Sequence, residues 1–162
     1  MNACLVWAAF YFVAALQGPW IYHVLIFWIE GMAAGGTAFL VGCLAADPNV
    51  AAQLAPPIFV LQLLFAGVFI DTDQIPDAVS WIQYLASLKY GINLHILTEF
   101  GSSTRAAGNW TAAQDFAAEQ LIAQNDIYES DWWVYVLAVI GLFVFFRAVG
   151  ILALWYKASQ FF

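Results

Sequence analysis

FAGVFIDTDQIPDAVSWIQYLASLKYGINLHILTEF, residues Phe65 to Phe100, decides how the rest of the chain is read. It begins in a run too apolar for water, crosses a polar step at Asp71-Thr72-Asp73 and turns at Ile75-Pro76. Beyond the turn, Val79, Ile82 and Leu85 recur at helical spacing, with Trp81 and Leu88 beside them. Trp and Tyr at such a place suit a membrane–water boundary. A second short helix is expected after Lys89-Tyr90-Gly91, ending near Phe100. The order is a helix leaving a membrane, a turn, and helices that lie at or dip back into the same face.

Composition outside that stretch says the same. Hydrophobic residues make up 64% of the 162 and charged residues 9%, against about 45–50% and about 25% in soluble domains. A domain this small exposes too much of its surface to hide so much apolar area from water. Lipid is therefore the solvent. Charge is concentrated: residues 71–131 hold nine acids and two bases, the whole net charge of −7. That segment reads as one extramembrane element, and its acidity excludes nucleic acid as a partner.

Four apolar runs are expected to span. Ala3 to Leu16 covers only about 21 Å at 1.5 Å per residue, short of a bilayer core, so it reads as the second half of a helix that starts before Met1. Trp20 to Ala46 is long enough to cross, with Gly31, Gly35, Gly36 and Gly42 as a small-residue stretch for close helix packing. Leu54 to Ile70 follows, with Pro56 and Pro57 expected in its first turn. Trp132 to Tyr156 is the last, with aromatic residues at both ends. Lys157 and Arg147 favour a cytoplasmic C-terminus by the positive-inside rule. Counting back puts 71–131 on the extracytoplasmic side.

The polar segment offers few sites. Thr111 and Gln114 form a capping-box pattern ahead of a helix to about Ala123. Asn109-Trp110-Thr111 is a glycosylation sequon, making Asn109 a candidate modification site. Cys4 and Cys43 lie in apolar runs and read as small buried hydrophobes. His23 and His95 have no further ligands at metal spacing, so no metal is expected. Nothing resembles paired catalytic carboxylates or a Ser/His/Asp set, and an intramembrane enzyme is not expected.

Among the polar residues inside the spans, Glu30, Gln62 and Arg147 are singled out. A charge there is costly and usually faces protein or water. Arg147 lies about 22 Å along its helix, and Glu30 about 15 Å along its own from the same side, so a direct pair would be strained. Arg147 is expected either to make a polar contact that couples its helix to its neighbours or to snorkel toward the cytoplasmic headgroups. Gln62 is expected to hydrogen-bond a neighbouring helix or a substrate.

Leu64-Phe65-Ala66-Gly67-Val68-Phe69-Ile70, Ile75-Pro76, Trp81-Ile82-Gln83-Tyr84, Lys89-Tyr90-Gly91 and Thr98-Glu99-Phe100 resemble the last third of the membrane domain of G-subfamily ABC transporters, the white/pleiotropic-drug-resistance type. Phe146-Arg147-Ala148 through Leu154 resembles that family's last helix. The resemblance implies an all-α membrane protein: a helical-bundle fragment running from the end of helix three through helix six of a six-helix ABC-2 type domain. It implies a re-entrant helical hairpin and an extracytoplasmic loop within 71–131. Residues 1–162 would then be part of one transmembrane domain.

The same resemblance implies an exporter of lipids, sterols or amphipathic xenobiotics. It would be driven by ATP and magnesium on a nucleotide-binding domain outside this chain, and would pair with a second half as a homo- or heterodimer. It places a hydrophobic plug at Val68 and Phe69, and a substrate-cavity face at Pro56, Val60 and Leu63. Departures are the cysteine-free loop, Asn93 where many members have Glu, and no G-x-x-x-x-G-K-[ST] to cradle ATP. The other reading is a truncated, non-transporting protein or partial gene product that only associates with full-length subunits.

Overall fold

A computed structural model describes residues 9, 11–13, 16–67, 76, 79–108, 110–125 and 127–161. Val68, Phe69 and Asn109 lie outside the described residues, as does Cys4. The described residues form helices and turns and no strand. Helix α1 is Trp20–Leu44, α2 Pro48–Phe65, α3 Ser87–Phe100, α4 Ser102–Ala107, α5 Ala112–Gln124 and α6 Trp132–Phe161. Helices α1, α2 and α6 are each long and apolar enough to cross a membrane.

Helix α2 starts earlier than its sequence suggests. Asp47 stands at its N-cap and Pro48 in its first turn, where a missing N–H costs nothing. Pro56 and Pro57 therefore fall inside the helix, not in its first turn. They leave the carbonyls four residues back, those of Ala52 and Gln53, without their helical N–H partners. The helix ends at Phe65 because Gly67 takes a φ of +84°, a conformation that favours glycine.

Among the described residues between α2 and α3, Ser80–Leu85 forms a short 3-10 helix where the spacing suggested an amphipathic helix. Helix α3 then begins at Ser87 and runs through Lys89-Tyr90-Gly91. Gly91 does not break it. It is buried, and a Cβ built there would lie 2.5 Å from the Glu30 carboxyl carbon of α1. The glycine makes room for a neighbour's side chain.

Helices α1, α3 and α6 pack around Ile26, Ala33, Leu94 and Val139. Of the four glycines in the small-residue stretch, only Gly36 meets a neighbour among the described residues, with Phe143 of α6 3.3 Å from a Cβ built there. Gly31, Gly35 and Gly42 face open space. Close approach on the α6 side comes from Gly150, where Phe39 and the buried Cys43 of α1 lie. The outward faces carry large apolar side chains such as Trp28, Phe59, Leu137 and Leu152, as lipid requires.

The acidic segment is tied to itself. Thr111 and Gln114 complete the expected capping box at the start of α5. Arg105 of α4 pairs with Glu119 of α5 at 3.1 Å. Glu129 accepts from the Ser102 N–H at 2.7 Å and from its hydroxyl at 2.6 Å, joining the start of α4 to the start of α6.

Candidate functional site

Two places among the described residues are candidates for a site. One is a groove between α1 and α2. Ala34, Thr37 and Val41 of α1 face Ala55, Ile58 and Gln62 of α2 across a space of about 110 Å³. It adjoins a second cavity of about 260 Å³ that also touches Thr37 and Gln62 and extends to Ile82 and Phe146. Thr37 returns its hydroxyl to the Ala33 carbonyl, which leaves Gln62 as the groove's main polar side chain.

Pro56, Val60 and Leu63 line neither space. Residues 58 and 62 are four apart and share a face, whereas residue 60 is two removed from each and points to the opposite side. Val60 is 54% exposed, Pro56 is exposed and Leu63 half-buried. Helix α2 thus has one side on α1 and another side with no cover from this chain's described residues.

The other place is the junction of α3 with the segment entering α1. Glu99, 7% exposed, accepts from the Gln17 N–H at 2.7 Å and the Gly18 N–H at 2.9 Å. Its Oε2 also lies 3.4 Å from Nε2 of the buried His23. Nδ1 of His23 is 3.0 Å from Nδ1 of His95, and the two rings are nearly parallel. Burial, and then the nearby His23, pull the His95 imidazole down to about 4. Tyr11 donates its hydroxyl to the Gly18 carbonyl at 2.8 Å. Gly18 must be glycine here, because an added Cβ would lie 2.6 Å from the Thr98 carbonyl oxygen.

Glu30 and Arg147 do not pair. The Glu30 carboxyl sits against Gly91, with its Oε1 buried and without a hydrogen bond. The Arg147 guanidinium lies over the Phe39 ring at 5.0 Å and the Phe143 ring at 5.5 Å. It does couple α6 to α1, but through aromatic faces rather than a polar partner. Lys157, which sequence reading assigned only to topology, donates to the Cys43, Leu44 and Ala45 carbonyls at 2.7, 3.1 and 2.9 Å. It caps the C-terminal end of α1.

These ties coincide with the stretches that carried the family resemblance. The ABC-2 type transporter family profile matches residues 1–100, more than half the chain. The chain belongs to the ABC-2 type transporter family. Relatives are G-subfamily proteins at low identity. It is 22% identical over 157 residues to ABC transporter G family member 8 of Arabidopsis thaliana, covering 92% of this chain and 27% of that protein. It is 24% identical over 127 residues to protein white of Drosophila melanogaster, covering 75% of this chain and 18% of white. A third, ABC transporter G family member 6 of Arabidopsis thaliana, is 30% identical over 95 residues, 56% of this chain and 12% of its own length. The chain thus spans about a quarter or less of these relatives.

Within this ABC-2 domain the motif residues act as fasteners. Lys89 donates to Gln83 at 2.7 Å, closing the 3-10 turn onto α3. Gly91 admits Glu30, and Glu99 grips the entry to α1. Sequence reading marked Lys89, Gly91 and Glu99 as pattern positions without a role. A lone carboxylate in an apolar run, four residues after a histidine, was the available signal for the Glu99 cluster.

Proposed function

We propose that this chain is the membrane wall of an ATP-driven exporter for lipids, sterols or amphipathic xenobiotics. ATP and magnesium act on a nucleotide-binding domain outside it, and a second membrane half faces it as a homo- or heterodimer. Support comes from the outer side of α2, where the exposed Pro56 and Val60 and the half-buried Leu63 share an apolar face on a helix with no buried residue. Such a face suits a path shared with a second half, while the Gln62 side stays on α1. The plug at Val68 and Phe69 would close that path at the end of α2. In this reading the 71–131 element is extracytoplasmic and Asn109 is open to glycosylation.

The test uses the full-length parent in proteoliposomes with ATP and magnesium, and two probes, a fluorescent sterol analogue and rhodamine 6G. Val60→Trp should cut ATP-dependent movement of the transported probe about tenfold, the effect of about 1.4 kcal/mol. Basal ATP hydrolysis should persist. Undiminished transport by Val60→Trp would remove Val60 from the path. Failure of the unaltered parent to move either probe would reject the substrate class.

A further inference from the structure

A third cavity, of about 430 Å³, opens where the acidic element meets the first turns of α1 and α6. Tyr22 of α1, Thr98 of α3, Ser103 and Thr104 of α4, and Trp132 and Trp133 of α6 line it. Its size falls within the roughly 300–1,000 Å³ of small-molecule pockets. Because α1 and α6 both begin here, the cavity stands at the level of lipid headgroups, where Trp and Tyr gather.

The rings are set at right angles. Tyr22 and Trp132 meet at 88° with centroids 6.2 Å apart, and Trp132 and Trp133 at 88° and 4.8 Å. Rings turned this way bound a corner on more than one side, which a parallel stack does not. Such a corner attracts a cation through the ring quadrupoles. Residues 71–131, which supply the α3 and α4 wall, hold the whole net charge of −7 and draw positive charge to this rim.

The lining also selects among cations. None of its described side chains is charged. A primary ammonium brings three N–H donors that need acceptors on leaving water. No carboxylate lines the cavity, and Glu129, three residues before Trp132, already accepts two bonds from Ser102. A trimethylammonium has no N–H to satisfy. Below the cavity, Trp133, Leu137, Ile140 and Val144 follow one another at helical spacing and are all exposed. That lane continues from the aromatic corner along α6 and suits an acyl chain.

We propose that the cavity between α1, α3, α4 and α6 binds the phosphocholine headgroup of a membrane lipid, its trimethylammonium against Tyr22, Trp132 and Trp133. The exposed Ser103 hydroxyl stands at the rim to donate to the phosphate. The acyl chains run down the α6 lane. Helix α2 supplies no residue to the cavity, so the lipid is a fixed neighbour joining α4 to α1 and α6, separate from the path proposed along α2.

Lipid retention by the full chain tests this. The chain is released from nanodiscs of equal parts phosphatidylcholine and phosphatidylethanolamine with the same acyl chains, and its bound lipids are counted by native mass spectrometry. Phosphate, glycerol and chains are common to both lipids, and only the methyl groups on nitrogen differ. Phosphatidylcholine should be retained about fivefold over phosphatidylethanolamine, the scale of a partly desolvated cation–π contact. Equal retention by the unaltered chain overturns the proposal. Trp133→Leu and Tyr22→Leu keep apolar side chains at exposed positions, and each should bring the ratio close to one. A ratio unchanged in both places the preference elsewhere and overturns the site. Should the variants not fold, lipids with one, two and three N-methyl groups decide on the unaltered chain, and retention that does not rise with methyl number overturns the proposal. Glycerophosphocholine, the headgroup without chains, should displace no lipid at millimolar concentration. Displacement at micromolar concentration would assign the cavity to a soluble choline compound and overturn the lipid. None of these measurements requires transport, so a failed export test and a failed lipid test are told apart.

Discussion

Helices α2 and α3 are neighbours in sequence and opposites in structure. In α3, Ser87, Gly91, Asn93, Leu94, Leu97, Thr98 and Glu99 are buried, seven of 14 residues. In α2 none of 18 is. Composition does not explain this, since α2 is the more apolar of the two. The short polar helix is held by specific ties to α1, while the apolar one rests by one side on α1, α3 and the 3-10 helix. In lipid, burial follows backbone and carboxylate partners more than hydrophobicity, because apolar side chains are already solvated. The helix with more polar groups is the one that must be enclosed.

The sharpest way to break that contrast is Glu99→Ala. It orphans the Gln17 and Gly18 N–H groups and removes the carboxylate beside the buried His23. Losing charge-assisted bonds from one buried and one part-buried donor should cost about 3 kcal/mol. Thermal unfolding in nanodiscs should show a large drop in midpoint, and exchange protection at Gln17 and Gly18 should vanish. If the midpoint stays put, Glu99 is not what holds α3.

Gly150→Ala tests the packing on the other side of α1. A Cβ there would meet the Phe39 ring at 2.8 Å and Cys43 Sγ at 3.5 Å. A ring has no flexible end to move, and Phe39 also carries the Arg147 guanidinium. Overpacking of this kind should cost about 1–3 kcal/mol. The companion Gly42→Ala, facing open space, should cost nothing by the same unfolding measurement.

These glycines mark what a sequence can and cannot disclose in a membrane. The spans of α1, α2 and α6 were legible because bilayer thickness sets their length and composition, while the run Ala3 to Leu16 lies largely outside the described residues. The α5 capping box was legible because it is local. Which of Gly31, Gly35, Gly36 and Gly42 faces α6 was not, since in a run apolar all round no periodicity marks the protein side. The start of α2 was misread at Leu54 because Pro56-Pro57 looked like a first turn, whereas Pro48 already filled that role. Glu30, Glu99 and Lys157 were visible as isolated charges. Their partners, the room beside Gly91, the Gln17-Gly18 N–H groups and the α1 carbonyls, are backbone features that no side-chain pattern encodes.

Lys157→Met keeps the apolar stem and removes the ammonium that caps α1. The Cys43, Leu44 and Ala45 carbonyls would turn to water or headgroups, so the loss should be about 1 kcal/mol. Faster amide exchange confined to the last turn of α1 would confirm a cap. A loss spread over the whole chain would mean that Lys157 instead sets insertion.

Val60→Ala should do least to the chain by itself. Val60 is 54% exposed, lines neither cavity beside α1 and has a side chain without hydrogen-bonding groups. Truncating such a side chain should shift stability by less than about 0.5 kcal/mol. Ile58→Ala, one face away and against α1, should cost more, because it opens the groove shared with Thr37 and Gln62. Unfolding of the isolated chain measures both. Equal costs would erase the two-sidedness of α2. A near-silent Val60→Ala in the isolated chain that alters probe transport in the parent would show that the uncovered side of α2 is covered elsewhere.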